Sequence, residues 1–330
     1  MPKISIITTT YKHQDFIKNT IESVLSQTYQ DWELLIWDDS PDDKTWNIIQ
    51  KYVKKYPDKI KAWHHNPNKG IVDNMNFLLE KVSEDSKYIT FLEGDDMFTP
   101  NNLEEKNKNF GKYENKDICA IISNHSEINS SWKKIWNSII YKIVWLFSLK
   151  KNLKPWLNIL TLEQFLLILW NPINSFGSVM VKKQVFKKYL PLKNLDSNNK
   201  MFWPLDYFLW LQMFPWKKIY YISKKLLLYR KHQNNFSWDK NVEIMKEHFN
   251  LIFYFFTQKN KNNKNILRIL KFRQMLVNSI SNTIKWNKKL WFKNLFKSFK
   301  YYKIRFLYYR LKILIRLLIP KKIIDLILKK

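Results

Sequence analysis

ITFLEGDDMFTP, residues 89–100, decides how the rest of this chain is read. An apolar run climbs to Leu92 and then stops on three carboxylates within four residues, Glu93, Asp95 and Asp96. Carboxylates this close repel one another, so a fold that holds them together has a reason to: a solvated turn capping the next helix, or a cage for a cation. The same grammar occurs upstream, where Trp32 to Trp37 is a short apolar run that ends on Asp38 and Asp39 in DDSPDD. Lys3 to Thr10, Lys59 to His64 and Lys87 to Leu92 also read as strands. Asp15 to Gln27, Thr45 to Tyr56 and Gly70 to Lys81 carry helical spacing. Strands alternating with helices predict an α/β domain with a mostly parallel sheet. Ligands of such sheets sit at the carboxyl ends of the strands, so both acidic loops are expected to open onto one edge.

No GxGxxG follows the first strand and no GxxxxGK[ST] occurs anywhere. Without a loop that cradles phosphate on backbone N–H groups, a metal ion held by carboxylates is the expected charge partner for any diphosphate. The length, 330 residues, suits about two domains. The single cysteine, Cys119, excludes an intramolecular disulfide and any multi-cysteine zinc site. MPKISIITTTYK enters a strand directly, with no leader pattern.

Net charge is +29, most of it in the tail: from Leu251 to Lys330, 21 Lys/Arg stand against one acid, Asp325. Such asymmetry points to an anionic partner, nucleic acid or a phospholipid surface. In KIRFLYYRLKILIRLL, Ile304, Leu307, Tyr308, Leu311, Ile315 and Leu318 line one helical face, while Arg305, Lys312 and Arg316 fall on another. Ser130 to Lys151 is a second amphipathic stretch, aromatic and flanked by lysines. No apolar run reaches 18 residues, so these segments are expected to lie on a surface rather than cross a membrane.

Taken together and in order, the motifs of residues 3–110 resemble family 2 of the inverting, nucleotide-sugar-dependent glycosyltransferases, whose fold is GT-A. ISIITTTYKHQDFIKNTIESVLSQTYQDWELLIWDDSPDD resembles that family's opening strand, Tyr-containing loop, helix ending in S-V-L-x-Q-T-Y, and second strand closing on Asp-Asp. NKGIVDNMN resembles its N-x-G-x-x-x-x-x-N loop and helix, and ITFLEGDDMFTPNNLE its D-x-D-D strand end. Residues 170–237 match more loosely, and the chain beyond 240 is not covered. Thr9 stands where Pro is common, Lys12 where Asn is common, and Glu93 where the first Asp of D-x-D belongs.

The resemblance implies roles residue by residue. Asp95 is the expected direct ligand of Mg or Mn, Glu93 faces the ribose or a metal-bound water, and Asp96 supports them. Asp39 accepts a hydrogen bond from the base, Thr9 and Tyr11 flank the base or its phosphate, and Gly70 and Asn76 belong to the third motif. WPLDYFLWLQM, 203–213, resembles the acceptor-half helix that begins on an Asp, which makes Asp206 the expected general base. LLLYRKHQNNFS, 226–237, resembles a late Tyr-Arg-x-His segment, so His232 is an expected metal ligand and Arg230 an expected donor-site residue. His13, His64, His65, His125 and His248 have no comparable context. Gly177, in INSFGSVMVKK, suggests a close backbone approach.

The expected architecture is therefore α/β, a GT-A fold: Rossmann-like, with a mostly parallel sheet flanked by helices, plus a helical C-terminal extension. Residues 1–125 form the nucleotide-sugar half, 126–160 an amphipathic insertion, 161–240 the acceptor half and 241–330 a basic aromatic tail. The expected activity is inverting transfer of a sugar from a nucleotide-diphosphate donor, UDP-linked, to a lipid-linked or cell-envelope glycan. The expected location is the cytoplasmic face of a bacterial membrane, with the tail on anionic lipid and no nucleic acid as partner. Two rivals differ in chemistry. A nucleotidyltransferase on a related scaffold calls for a Gly-rich basic loop after the first strand, which TTTYKHQD lacks. A nucleic-acid binder gripping phosphate with the tail leaves the EGDD carboxylates without a use.

Overall fold

The computed structural model describes residues 3–64, 68–114, 117–131, 133, 159–160, 175–192, 209–210 and 218–232. They belong to one compact unit built from residues 1–135, 155–162 and 171–235. In chain order its elements are β1 (Lys3–Thr10), α1 (Ile17–Leu25), β2 (Trp32–Asp38), α2 (Asp43–Lys55), β3 (Ile60–His64), α3 (Ile71–Glu80) and β4 (Ser86–Phe91). There follow β5 (Met97–Phe98), α4 (Asn102–Lys112), β6 (Ile118–Asn129), β7 (Ile159–Leu160), β8 (Val179–Lys182), α5 (Lys183–Phe186) and β9 (Lys218–Lys231). Every strand and helix expected between Lys3 and Leu92 is present, with ends within two residues of the sequence reading. β6 runs on to Asn129, past the boundary expected at residue 125.

The sheet order is β3-β2-β1-β4-β8-β6-β9-β5, with β7 paired to β9. β3, β2, β1 and β4 are parallel. β8 then runs antiparallel to both β4 and β6, and β6 pairs with β9 in parallel. The first half is thus a parallel α/β layer and the second a mixed sheet. The strand order reverses at β1: β2 lies on one side of it and β4 on the other. That reversal marks the carboxyl ends of β1 and β4 as the place where open sheets of this kind hold their ligands.

All seven residues of β2 are buried, as a strand covered on both faces requires. Ile4, Ile6, Leu34 and Ile36 pack in one cluster with Ile17, Ile21 and Val24 of α1, each 1% exposed or less. The acidic stretch after β2 divides its work. Asp42 caps α2 by accepting from Lys44 N at 3.1 Å, and Asp43 in the first turn with Lys54 and Lys55 in the last match the helix dipole. Asp38 and Asp39 stay inside, 0% and 4% exposed.

At the far end of the sheet a carboxylate ties three strands together. Glu33 of β2 accepts from Ser5 of β1, from Ser86 of β4, and from Ser83 through both its hydroxyl and its backbone N–H. Burial alone raises this carboxyl, but the hydrogen bonds from Ser5 and Ser83 and the charge of Lys3 outweigh it and hold the group below its ordinary range. A folded-state value below the unfolded one contributes stability that is present above the unfolded pKa and lost as pH falls through the folded one. Glu33→Ala is expected to destabilise the protein by on the order of 2 kcal/mol at neutral pH, through the donors left unpaired. In urea titrations the gap between wild type and variant should narrow as pH falls below the ordinary carboxylate range; a gap that does not change with pH would refute this account.

Candidate active site

The EGDD turn leaves β4 beside the end of β1 and is held there by backbone. Leu92 N donates to Ile7 O at 3.0 Å, Gly94 N to Thr9 O at 3.1 Å, and Asp96 N back to Glu93 O at 3.0 Å. Thr20 of α1 closes the turn from beneath, its hydroxyl donating to Gly94 O at 3.0 Å and Asp96 O at 2.8 Å. The fit is tight. A Cβ on Gly94 would stand 2.5 Å from Thr10 Oγ1, 2.6 Å from Thr10 Cβ and 2.9 Å from His13 Nδ1.

The acidic side chains turn in different directions, with Ser175 Oγ shared between Glu93 and, at 3.4 Å, Asp96. Glu93 accepts from Ser175 Oγ at 3.1 and 3.0 Å and from Phe176 N at 3.1 Å, so it faces the segment that enters β8. Asp96 is fully buried, accepting from Arg230 N at 2.8 Å. Asp95, 8% exposed, meets His232 Nε2 at 2.9 Å and lies 4.0 Å from His13 Nε2. Arg230, 0% exposed, lies under the turn: Nε donates to Asp95 O at 2.7 Å, Nη1 reaches Asn129 O at 3.2 Å, and the guanidinium sits 4.7 Å from the Phe16 ring centroid. β9 thus delivers Arg230 and His232 together beneath and beside the acidic turn.

The two aspartates diverge electrostatically. Burial, then the charges of Asp95 and Glu93, push Asp96 up well above its ordinary value. For Asp95 burial acts in the same direction, but the His232 hydrogen bond and the nearby imidazoles overcome it and hold the carboxyl low. Asp95 is the ionised member and Asp96 the one that favours its proton. Burial pulls His13 down despite the raising effect of Asp95, which favours the neutral imidazole that a metal ion binds. Ligand atoms of His13, Asp95 and His232 all lie within 4.8 Å of one another.

Around this cluster lie the other residues singled out in the sequence. Thr9 and Tyr11 leave β1 next to the turn, and Tyr11, 45% exposed, is the one large hydrophobic residue among those described that is open to solvent. Lys12 adopts φ 57, a left-handed conformation that Asn accommodates better than Lys, and its N–H donates to Ser40 Oγ at 2.8 Å. Asp39 follows the last residue of β2 on the same edge. Its carboxylate accepts from Lys69 N and Gly70 N, both at 3.1 Å, which shapes the loop before α3, and Gly70 takes φ 82 there. Asn76 instead bridges α3 to the chain after α5, bonding Leu192 O at 2.9 Å and Leu192 N at 2.7 Å. Asp206 lies outside the described residues, as do the 241–330 tail and nearly all of the amphipathic stretch from Ser130. Leu209 and Trp210 of the same motif are described and buried, with Trp210 packed on Phe91 and Phe176.

Three participants went unassigned in the sequence: His13, Ser175 and Lys106. Lys106 is fully buried, its ammonium donating to Gly177 O at 3.0 Å, and burial pushes it down to about 7. Gly177 makes the close approach its rarity suggested, since a Cβ there would meet Leu227 Cδ1 at 2.9 Å and Phe91 O at 3.3 Å. Because Gly94 has no room for a methyl group, Gly94→Ala is expected to destabilise by about 1–3 kcal/mol in chemical denaturation. Unchanged stability would show that the β1 loop and the turn can move apart.

Residues 5–190 match the model of the family described as Glycosyl transferase family 2. The chain is 36% identical over 105 residues to the putative glycosyltransferase EpsE of Bacillus subtilis, a match covering 32% of this chain and 37% of that protein. It is 36% identical over 141 residues to the UDP-Glc:alpha-D-GlcNAc-diphosphoundecaprenol beta-1,3-glucosyltransferase WfaP of Escherichia coli, covering 39% and 54%. These matches span from about a third to about half of those relatives' lengths. Among solved structures, S. aureus TarS 1–349 in complex with UDP-GlcNAc superposes with TM-score 0.57 at 14% identity, over 91% of this chain and 81% of that one. The mannosyltransferase PcManGT from Pyrobaculum calidifontis, in complex with GDP-Man and Mn2+, gives 0.56 at 12%, over 90% and 75%. The likeness to these structures establishes a GT-A fold. With a family model matched over more than half its length, from β1 through β8 and α5, the chain belongs to glycosyl transferase family 2.

Proposed function

We propose that this protein transfers a sugar, with inversion, from a nucleoside-diphosphate donor to an acceptor hydroxyl on a lipid-linked or cell-envelope glycan. The observation that carries this reading is a convergence: Thr9–Tyr11, Asp39 and Glu93–Asp96 end three neighbouring parallel strands on one edge, and His13 and His232 close on Asp95. A uridine donor is the preferred reading, because TarS was solved with UDP-GlcNAc and WfaP is named for UDP-Glc. The WfaP name also specifies a diphosphoundecaprenol-linked acceptor, and TuaG of Bacillus subtilis, 34% identical over 105 residues, is named for teichuronic acid biosynthesis.

In this reading Tyr11 offers its exposed ring to the base. Asp39 accepts from a base N–H with the lone pairs that Lys69 and Gly70 leave over. Asp95 and His232 would hold Mg or Mn beside the donor diphosphate; the residues fit such an ion, being a buried carboxylate kept ionised beside imidazole nitrogen. A divalent ion held there would neutralise the charge that develops on the departing diphosphate. Arg230 and Asp96 touch each other and the turn's backbone, and so position Asp95 rather than the nucleotide. Glu93 orients Ser175 and Phe176 at the entry to β8. Asp206 takes the acceptor proton as the hydroxyl oxygen bonds the anomeric carbon and the bond to diphosphate breaks on the opposite face, which inverts the centre.

The basic tail, 241–330, would hold the enzyme at an anionic cytoplasmic leaflet, each Lys or Arg near lipid contributing ~1 kcal/mol. No helix among the described residues is long and apolar enough to cross a membrane. Cosedimentation with vesicles should therefore need phosphatidylglycerol and weaken with salt; equal binding to pure phosphatidylcholine would remove the electrostatic account.

The donor site is tested by thermal stabilisation of the full chain with UDP, GDP, CDP and their sugars, with and without Mn2+. One nucleotide should stabilise it, by about 2.7 kcal/mol at a hundredfold excess over Kd, with metal required and the effect lost in Asp95→Asn. No response to any nucleotide from folded protein with metal present would overturn the transferase reading.

A further inference from the structure

His13 lies in the loop between β1 and α1, outside every motif that named a metal ligand, yet it points at Asp95. Its position is fixed from several sides. Its carbonyl accepts from Phe16 N at 2.9 Å and Ile17 N at 2.8 Å, so it starts α1. The left-handed Lys12 just before it turns the chain inward, and its ring stacks edge-on to His232, 6.1 Å between centroids, with Phe16 fencing both rings at 6.2 and 4.9 Å. Gly94, with no room for a Cβ, lets the ring come this close to the acidic turn. The 4.0 Å between His13 Nε2 and Asp95 Oδ2 is too long for a hydrogen bond and suits two ligands of one ion. His13 Nδ1 is buried and has no hydrogen-bond partner among the described residues.

We propose that His13 is a third ligand in the cation site and that its two imidazoles make the site select a transition-metal dication over Mg2+. The proposal rests on the donor-site reading and sharpens its choice of Mg or Mn. Mg2+ is a hard, strongly hydrated ion that prefers oxygen ligands and keeps its waters. Imidazole nitrogen favours transition-metal ions, with affinity rising from Mn2+, the weakest of them, through Co2+ and onward along the series. Two imidazoles and one carboxylate leave the remaining coordination positions for diphosphate oxygens, as a catalytic rather than a closed structural site requires.

Calorimetric titration of the full chain with Mn2+, Co2+, Zn2+ and Mg2+, without nucleotide, should give Mn2+ and Co2+ affinities at least about tenfold above that for Mg2+, the scale on which shell substitutions act. His13→Ala, and His13→Gln should the smaller side chain unsettle the loop, should erase most of that preference. Pulsed electron paramagnetic resonance of bound Mn2+ should lose one of two imidazole nitrogen couplings in either variant. Mg2+ and Mn2+ binding equally to wild type, or nitrogen couplings unchanged in folded His13→Gln, would overturn the proposal. Neither result touches the donor reading, which fails separately if UDP and its relatives do not bind the wild-type protein under any metal condition.

Discussion

Three carboxylates within four residues cannot share a buried turn unless something opposes their repulsion, and the site depends on how that is done. The protein separates them rather than neutralising them as a group. Glu93 is turned to Ser175 and Phe176, Asp96 is sunk onto Arg230 N, and Asp95 alone is presented to imidazole. Arg230 supplies the fixed positive charge under the turn, and its guanidinium is committed to the Asp95 and Asn129 carbonyls. A buried Arg without these acceptors would be costly, and the acidic turn without the Arg equally so. Each makes the burial of the other tolerable.

This arrangement is possible because β9, the last strand described, returns beside β6 and brings Arg230 and His232 against a turn that closed far earlier in the chain. The parallel half alone holds Glu93, Asp95 and Asp96 with His13 but without Arg230, His232 or Ser175. The two sequence halves are therefore one electrostatic unit. They are joined again where Lys106 grips Gly177 O and where Asn76 binds both backbone groups of Leu192. A parallel sheet continued by a mixed one lets strands from the second half run antiparallel beside β4, so that Ser175 arrives at the carboxyl end of β4 facing Glu93.

The parallel half was legible in the sequence because its signals are local. A β-branched run at Lys3–Thr10, a short apolar run at Trp32–Trp37, helical spacing in between, and acidic stops at Asp39 and Asp95 are each local signals. The antiparallel placement of β8 was not legible, because it depends on pairing between segments far apart, which no window of sequence records. His13 was missed for the same reason. In the sequence it is an unremarkable histidine in TTTYKHQD, and only the approach of His232 and Asp95 gives it a context. Asn76 shows the converse: its place in a motif suggested contact with ligand, and the structure adds a structural use for its side chain, which bonds both backbone groups of Leu192.

The departures from the family pattern fall where the local physics changes. Glu93, one methylene longer than Asp, reaches the Ser175 hydroxyl and the Phe176 N–H. With that longer arm engaged on the β8 side, Asp95 is left as the one acidic side chain of the turn that meets the imidazoles. On the proposed reading an ion here has fewer carboxylates to bind, and His13 and His232 both lie within reach of Asp95. On the proposed cation-site reading, Glu93 and His13 act together: the longer acid turns away to Ser175 and leaves Asp95 to an ion shared with imidazole nitrogen.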